Sequence, residues 1–337
     1  MNLPVGARVT APADVDIVVT VYRDESSVRT LFNAIEAAVA PLGVRWRVIF
    51  VCDGSPDRSW DVVAGLAAER SNITAVELSR NFGQHIAVSA GLDFATAEMV
   101  VVMDSDLQDP PSAIPRMLSL LRDGNDVVLA RRATRSGRLP RRIAAAVFWA
   151  ILRSFVGPRL VTQQLMLRAM RQSYVRAFRS LREQHRFIAG LGAWLGFRQA
   201  VIEVEAPAGI RDGSTYRLRV LLTLALDATT AMTIVPLRAA SILGCLVTIG
   251  SIAYGLGILL LVITGRELQP GFPTLAILVS VLAGVELLIL GIIGEYVGRG
   301  LRESQRRPLY LVRQITGVGS DAATLPLPPH EPQAHRE

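Results

Sequence analysis

The chain has 337 residues, half of them hydrophobic, and a formal net charge of +7, a length that suits one large domain with an appendage. All 36 basic residues are Arg, which marks GC-rich coding rather than nucleic-acid binding, because no Arg-rich recognition helix or aromatic stacking ladder goes with them. Its two cysteines, Cys52 and Cys245, lack metal spacing, which excludes a disulfide framework and suits a reducing compartment.

In chain order, residues 1–15 show no basic start before an apolar core, so no signal peptide is expected. Residues 16–22 (DIVVTVY) predict a strand that ends at Arg23-Asp24-Glu25-Ser26, with Ser26 as N-cap of a helix over 27–39. A second strand, 46–51, ends in Cys52-Asp53-Gly54-Ser55 before a helix over 59–70. A third, 74–78, runs into Ser79-Arg80-Asn81-Phe82-Gly83-Gln84-His85, and a helix over 86–96 follows. Helix 113–122 and strand 126–130 complete an alternation that argues for a parallel sheet covered on both faces. No GxGxxG or Walker glycine loop is present, which excludes a dinucleotide fold and a P-loop enzyme.

Between the last two helices the apolar run 100–103 ends in Asp104-Ser105-Asp106-Leu107-Gln108-Asp109-Pro110-Pro111. This reads as a buried strand cut off by a turn, and ligands of open α/β sheets bind just past such strand ends. If the backbone stays extended, Asp104, Asp106 and Gln108 point to one side and offer hard oxygens that suit Mg²⁺ or Mn²⁺. A bare DxD is equally the signature of a solvated acidic turn. Asp24, Asp53 and Asp104 each close a strand, and three carboxylates at one sheet edge are costly unless they serve a cation or sugar hydroxyls.

From Arg131 a basic stretch leads into an apolar helix over 140–156, too short to span a bilayer. It either lies at an anionic membrane surface or packs as a core helix. Two longer apolar runs follow, 237–263 and 273–294, each able to cross a ~30 Å hydrocarbon core. Arg217, Arg219 and Arg238 flank one side of the pair and Arg299, Arg302, Arg306 and Arg307 the other, so the positive-inside rule puts both flanks in the cytoplasm. Glu286, alone in the second run, is expensive there and is expected to be packed, protonated or hydrogen-bonded. The tail, rich in Pro and Ala, reads as disordered.

Taken together, IVVTVYRDES, FVCDGSPDRS, LSRNFGQHIAVSAGLDFA, VVMDSDLQDPP, DVVLARR, MLRAM, EQHRFIAGLGAWLGFRQ, DGSTY, VPLR and GIIGEYVGRGLRESQRRPLYLV resemble glycosyltransferase family 2, polyprenyl-phosphate type. Dolichol-phosphate mannose synthase, the bactoprenol glucosyltransferases and the undecaprenyl-phosphate aminoarabinose transferase belong to that type. The motifs run in family order over residues 16–312.

The resemblance implies an α/β fold of the GT-A kind with a mostly parallel sheet, over residues 1–232, then a transmembrane hairpin with its juxtamembrane segment (233–312) and a disordered tail (313–337). It implies inverting transfer of a sugar from a nucleotide sugar to a polyprenyl phosphate at the cytoplasmic face of the bacterial inner membrane, for cell-envelope glycans. Tyr22, Asp24 and Asp53 would hold the donor's base and ribose, with Asp104 and Asp106 on the metal-diphosphate. Gln108 would complete the shell of Mg²⁺ or Mn²⁺, and Arg132 would sit on the donor phosphates. Arg186, Arg211 and Arg217 would meet the acceptor and its phosphate. The partners are nucleotide sugar, lipid and membrane, with room for a homo-oligomer and none for nucleic acid. This chain departs from the pattern at Cys52, Arg23 and Thr215, and residues 161–166 lack the acid many members carry. A nucleotide-binding scaffold with impaired catalysis and a polysaccharide synthase are the alternative readings.

Overall fold

A computed structural model of the chain describes residues 13–133, 161, 164–184, 186, 188–205, 235–264 and 271–317. The first half alternates as expected: β1 (Val15–Val21), α1 (Val28–Val39), β2 (Trp46–Cys52), α2 (Ser59–Glu69), β3 (Ile73–Leu78), α3 (Gln84–Phe94), β4 (Met99–Asp104), α4 (Ile114–Arg122) and β5 (Val127–Arg132). Then come β6 (Gln164–Arg171), α5 (Gln172–Ser180), α6 (Ile188–Leu195), β7 (Gln199–Val204), α7 (Val235–Ile263), α8 (Phe272–Ser304) and β8 (Val312–Gly317).

All seven residues of β1 are buried, as a strand covered on both faces requires. Its side chains alternate: Ile17, Val19 and Val21 pack with α1, α2 and α4, while Val18 packs with α3, α5 and α6. Gly91 lets α3 lie close on the sheet, because a Cβ there would stand 2.2 Å from Val18 Cγ1. The buried Asp16 is held by Arg47 Nε at 2.8 Å and by the backbone N–H groups of Thr96 and Ala97. Four donors on one carboxylate remove the cost of burying it.

The sheet order is β7-β5-β6-β4-β1-β2-β3-β8. It is the expected GT-A type of sheet, mostly parallel, with three strands that alternation alone did not predict: β6, β7, which pairs parallel with β5, and β8. β6 inserts between β4 and β5 antiparallel to both, and β8 pairs antiparallel with β3. The expected tail therefore begins inside a strand, whose N–H and C=O groups find partners in Thr74–Leu78. Residues 318–337 and the helix expected over 140–156 lie outside the described residues.

Boundaries shift locally. Ser27, rather than Ser26, precedes α1, and its Oγ donates to the Asp24 carbonyl. Arg131 and Arg132 extend β5 because they pair with Glu203 and Val204 of β7.

The chain divides into two compact units. One holds the whole sheet, β8 included; the other holds α7 and α8. These two helices have 29 and 33 residues, long and apolar enough to cross a membrane. They pack on each other where Gly244 faces Ile289. Glu286 is exposed on α8.

Candidate functional site

Strands β4, β1 and β2 are adjacent, parallel and in register, with Thr20 opposite Asp104 and Val21 opposite Cys52. Their carboxyl ends therefore open together, and the loops beyond them enclose a cavity of about 240 Å³. Tyr22, Asp24, Asp53, Asp104 and Asp106 all line it, so five of the residues singled out in the sequence come together.

Each acid is tied into the fold by hydrogen bonds. Asp24 accepts from Ser105 Oγ at 2.6 Å, and its backbone N–H donates to Ser59 Oγ at 3.1 Å. Before it, Arg23 takes a left-handed φ of 58° and donates its N–H to Ser55 Oγ. Asp53 accepts the Phe82 and Gly83 N–H groups at 2.8 Å each, at the entrance of α3. Burial pushes its carboxyl up, and those two N–H groups push back. Gly54 beside it is required: its φ is +54°, and a Cβ would meet the Arg80 carbonyl carbon at 2.3 Å.

Asp104 accepts from Thr20 Oγ1 at 2.9 Å and from the Gln84 amide at 2.6 Å. Burial raises its affinity for a proton, the two donors oppose that, and the Asp106 charge adds to it. After Asp104 the backbone does not stay extended. Asp106 accepts the Gln108 N–H at 3.1 Å and Leu107 takes a φ of 63°. That turn carries Gln108 off the cavity wall, and its Oε1 instead accepts from Arg132 Nη2 at 3.2 Å.

Arg132 therefore stands by the acidic loop, at the end of β5, outside the cavity lining. Arg186 is buried away from the cavity, over the Phe178 ring, while Arg211 and Arg217 lie outside the described residues. Sequence reasoning missed Thr20, Gln84 and Asp109. Asp109 is buried and accepts the Asp104 N–H at 3.0 Å, so a third carboxyl sits directly behind the pair. Burial first, and then the Asp104 charge, push it up to about 7. Its signal was in plain view, as the third acid of DSDLQD ahead of Pro-Pro.

Two carboxylates on one cavity wall, repelling each other, suit a hard divalent cation that keeps waters and takes substrate phosphates as its remaining ligands. Among the described residues no group of three acids, His or Cys forms a closed cage.

The glycosyl transferase family 2 model matches residues 16–183. The glycosyltransferase sll0501 of Synechocystis sp. is 33% identical over 306 residues, covering 90% of this chain and 96% of its own. The undecaprenyl-phosphate 4-deoxy-4-formamido-L-arabinose transferase of Aeromonas hydrophila is 34% identical over 304 residues, covering 89% and 93%. Among solved structures, the glucosyl-3-phosphoglycerate synthase of Mycobacterium tuberculosis with Mn²⁺ and UDP matches at a TM-score of 0.44 and 19% identity, over 64% of this chain and 76% of its own.

Proposed function

Because the chain belongs to glycosyl transferase family 2 and is a glycosyltransferase, we propose that it moves a sugar from a nucleotide sugar to a polyprenyl phosphate, with inversion, at the cytoplasmic face of a bacterial inner membrane. The observation that carries this reading is the meeting of Asp24, Asp53, Asp104 and Asp106 at one cavity in a chain that also carries two apolar helices. The relative from Aeromonas, similar over nearly its whole length, is named for an undecaprenyl-phosphate acceptor.

In this reaction a phosphate oxygen of the acceptor attacks the anomeric carbon. The bond from that carbon to the donor's diphosphate breaks, and the nucleoside diphosphate leaves with the electron pair. A phosphate monoester has its second pKa at about 6, so it arrives mostly as the dianion and has no proton to give up. What the protein must supply is position and charge balance. Tyr22, Asp24 and Asp53 bind the nucleoside, Asp24 being tied to the acidic loop through Ser105. Asp104 and Asp106 would hold Mg²⁺ or Mn²⁺, which would supply positive charge to neutralise the leaving diphosphate. Thr20 and Gln84 fix the Asp104 carboxylate for that task. Arg132, beside Gln108, faces the donor phosphates, and Arg186, Arg211 and Arg217 meet the acceptor.

The test is an assay of membranes that hold this protein, with a short polyprenyl phosphate and a panel of labelled nucleotide sugars. One donor should give a lipid-soluble, phosphatase-resistant product. Labelling of no lipid by any donor, or equal transfer to the free polyprenol, would refute the reading.

A further inference from the structure

On the sheet face that carries Asp104 lies a group of cationic side chains with too few acceptors. Arg168 in β6 is 6% exposed, and Arg186, between α5 and α6, is 7% exposed. Buried guanidinium groups are normally matched by carboxylates. Here neither makes an ion pair among the described residues. Arg168 donates from Nε to the Met166 carbonyl at 3.0 Å, and its Nη2 reaches only the Met166 sulfur, at 3.6 Å. Arg186 donates from Nη1 to the Leu181 carbonyl at 2.5 Å and lies 4.9 Å from the Phe178 ring centre, and its Nε has no partner. The nearest acids act on them only through space: Asp104 and Asp109 on Arg168, Glu183 and Asp93 on Arg186. Asp93 is already taken, by Arg182 at 2.8 Å and by the Tyr310 hydroxyl at 2.8 Å.

His85 stands in the first turn of α3, one residue after the Gln84 that grips Asp104. Its Nδ1 is buried and has no hydrogen-bond partner. Both guanidinium charges reach its ring and, after burial, hold the imidazole down to about 4. Both arginines thus act on His85, and Arg168 sits opposite Val102, beside the strand that ends in Asp104.

We propose that His85, Arg168 and Arg186 form one anion site that receives the acceptor's phosphate monoester, with the His85 Nδ1–H donating to a phosphate oxygen. This rests on the lipid-phosphate reading above and adds His85 and Arg168 to it. A dianion supplies the missing acceptors: its three terminal oxygens match a planar guanidinium fork and leave one for the imidazole. Two buried positive charges against a double negative charge also restore neutrality. A neutral alcohol would leave both guanidinium groups unpaired, so the site selects the phosphate.

The experiment measures equilibrium binding of farnesyl phosphate, inorganic phosphate and whichever of UDP, GDP or CDP the wild type binds with Mg²⁺. It uses the full chain in detergent. His85→Ala and Arg168→Met should weaken farnesyl phosphate tenfold or more and leave the nucleotide within twofold, and His85→Gln should recover part of the loss. Inorganic phosphate losing affinity in parallel shows that the phosphate itself is read. If inorganic phosphate binds equally to wild type and both variants, or farnesyl phosphate binding is unchanged in His85→Ala, the site is refuted. Equal loss of the nucleotide would make it a donor-diphosphate site and refute the assignment. Should Arg168→Met fail to fold, the two His85 variants decide. Phosphate binding lost in His85→Ala with no transfer from any donor would sink the transferase reading and keep the site. Transfer with an unchanged acceptor KM in His85→Ala would do the reverse.

Discussion

Asp109→Asn should remove a fall in this protein's stability between about pH 4 and pH 7. Asp109 is 2% exposed and is pushed up to about 7, whereas in the unfolded chain an Asp ionises near 3.9. Between those values the folded chain keeps a proton that the unfolded chain has lost, so stability falls as pH rises and levels off above about 7. Three units at about 1.4 kcal/mol each come to roughly 4 kcal/mol. Asn cannot ionise and keeps an oxygen for the Asp104 N–H, but it gives up the hydrogen bond from the Leu167 N–H, about 1 kcal/mol. The variant should therefore be less stable than wild type by about 1 kcal/mol near pH 3 and more stable by about 3 kcal/mol near pH 8. At roughly 2–4 °C per kcal/mol, the Tm curves cross and then part by about 6–12 °C. Thermal denaturation of the full chain in detergent, in metal-free buffer, reads this directly. A divalent cation favours the ionised carboxyls, so millimolar Mg²⁺ should flatten the wild-type slope. Parallel curves for the two proteins without metal would refute the reasoning.

Asp104→Asn or Asp106→Asn should cut turnover about a hundredfold or more, as expected when charge stabilisation at the leaving group is lost, and full wild-type turnover in excess chelator would overturn the metal assignment. With Cys245 replaced by Ser, Gly271→Cys should react with an impermeant thiol reagent outside intact cells, and Gln305→Cys only after lysis; the opposite pattern would invert the topology. Gln305 is preferred to Gly317, where a Cβ would meet the Ile73 carbonyl oxygen at 2.2 Å. Gln164→Ala should slow transfer by about tenfold at most, and Thr162→Asp should not speed it; a large gain from the new acid would show that the acceptor needs a base after all.

The central strands were legible because β-branched runs such as DIVVTVY leave no other way to bury every side chain. The acids at their ends were legible because a carboxylate that closes a buried strand interrupts the pattern. Partnership across the fold was not legible. Gln84 meets Asp104 from twenty positions away, and nothing in the local sequence of β6 tells that it slips between β4 and β5 in reverse. The expectation of an extended backbone after Asp104 failed at Leu107, a left-handed residue without the glycine that usually announces one. One rotation there sent Gln108 to Arg132. Asp53 shows a different gap: its position was readable, yet both its oxygens are engaged by backbone N–H groups that no motif reveals.

The placement of opposite charge gives the proposed chemistry its direction. Asp104, Asp106 and Asp109 crowd negative charge at the end of β4, which adds to burial in raising the proton affinity of Asp104 and Asp109. Arg168 and Arg186 leave positive charge unbalanced on the same sheet face as Asp104, and burial first, then those two charges, oppose protonation of His85. Gln84 and His85 are consecutive, and one serves each side. A cation with the donor's diphosphate relieves the first imbalance, and a phosphate dianion relieves the second. Both substrates are anions and would repel each other in a uniformly basic pocket or be excluded from a uniformly acidic one. With the carboxylates drawing the metal and the buried arginines drawing the acceptor, each anion meets the counter-charge it lacks, and the first turn of α3 fixes the spacing between them.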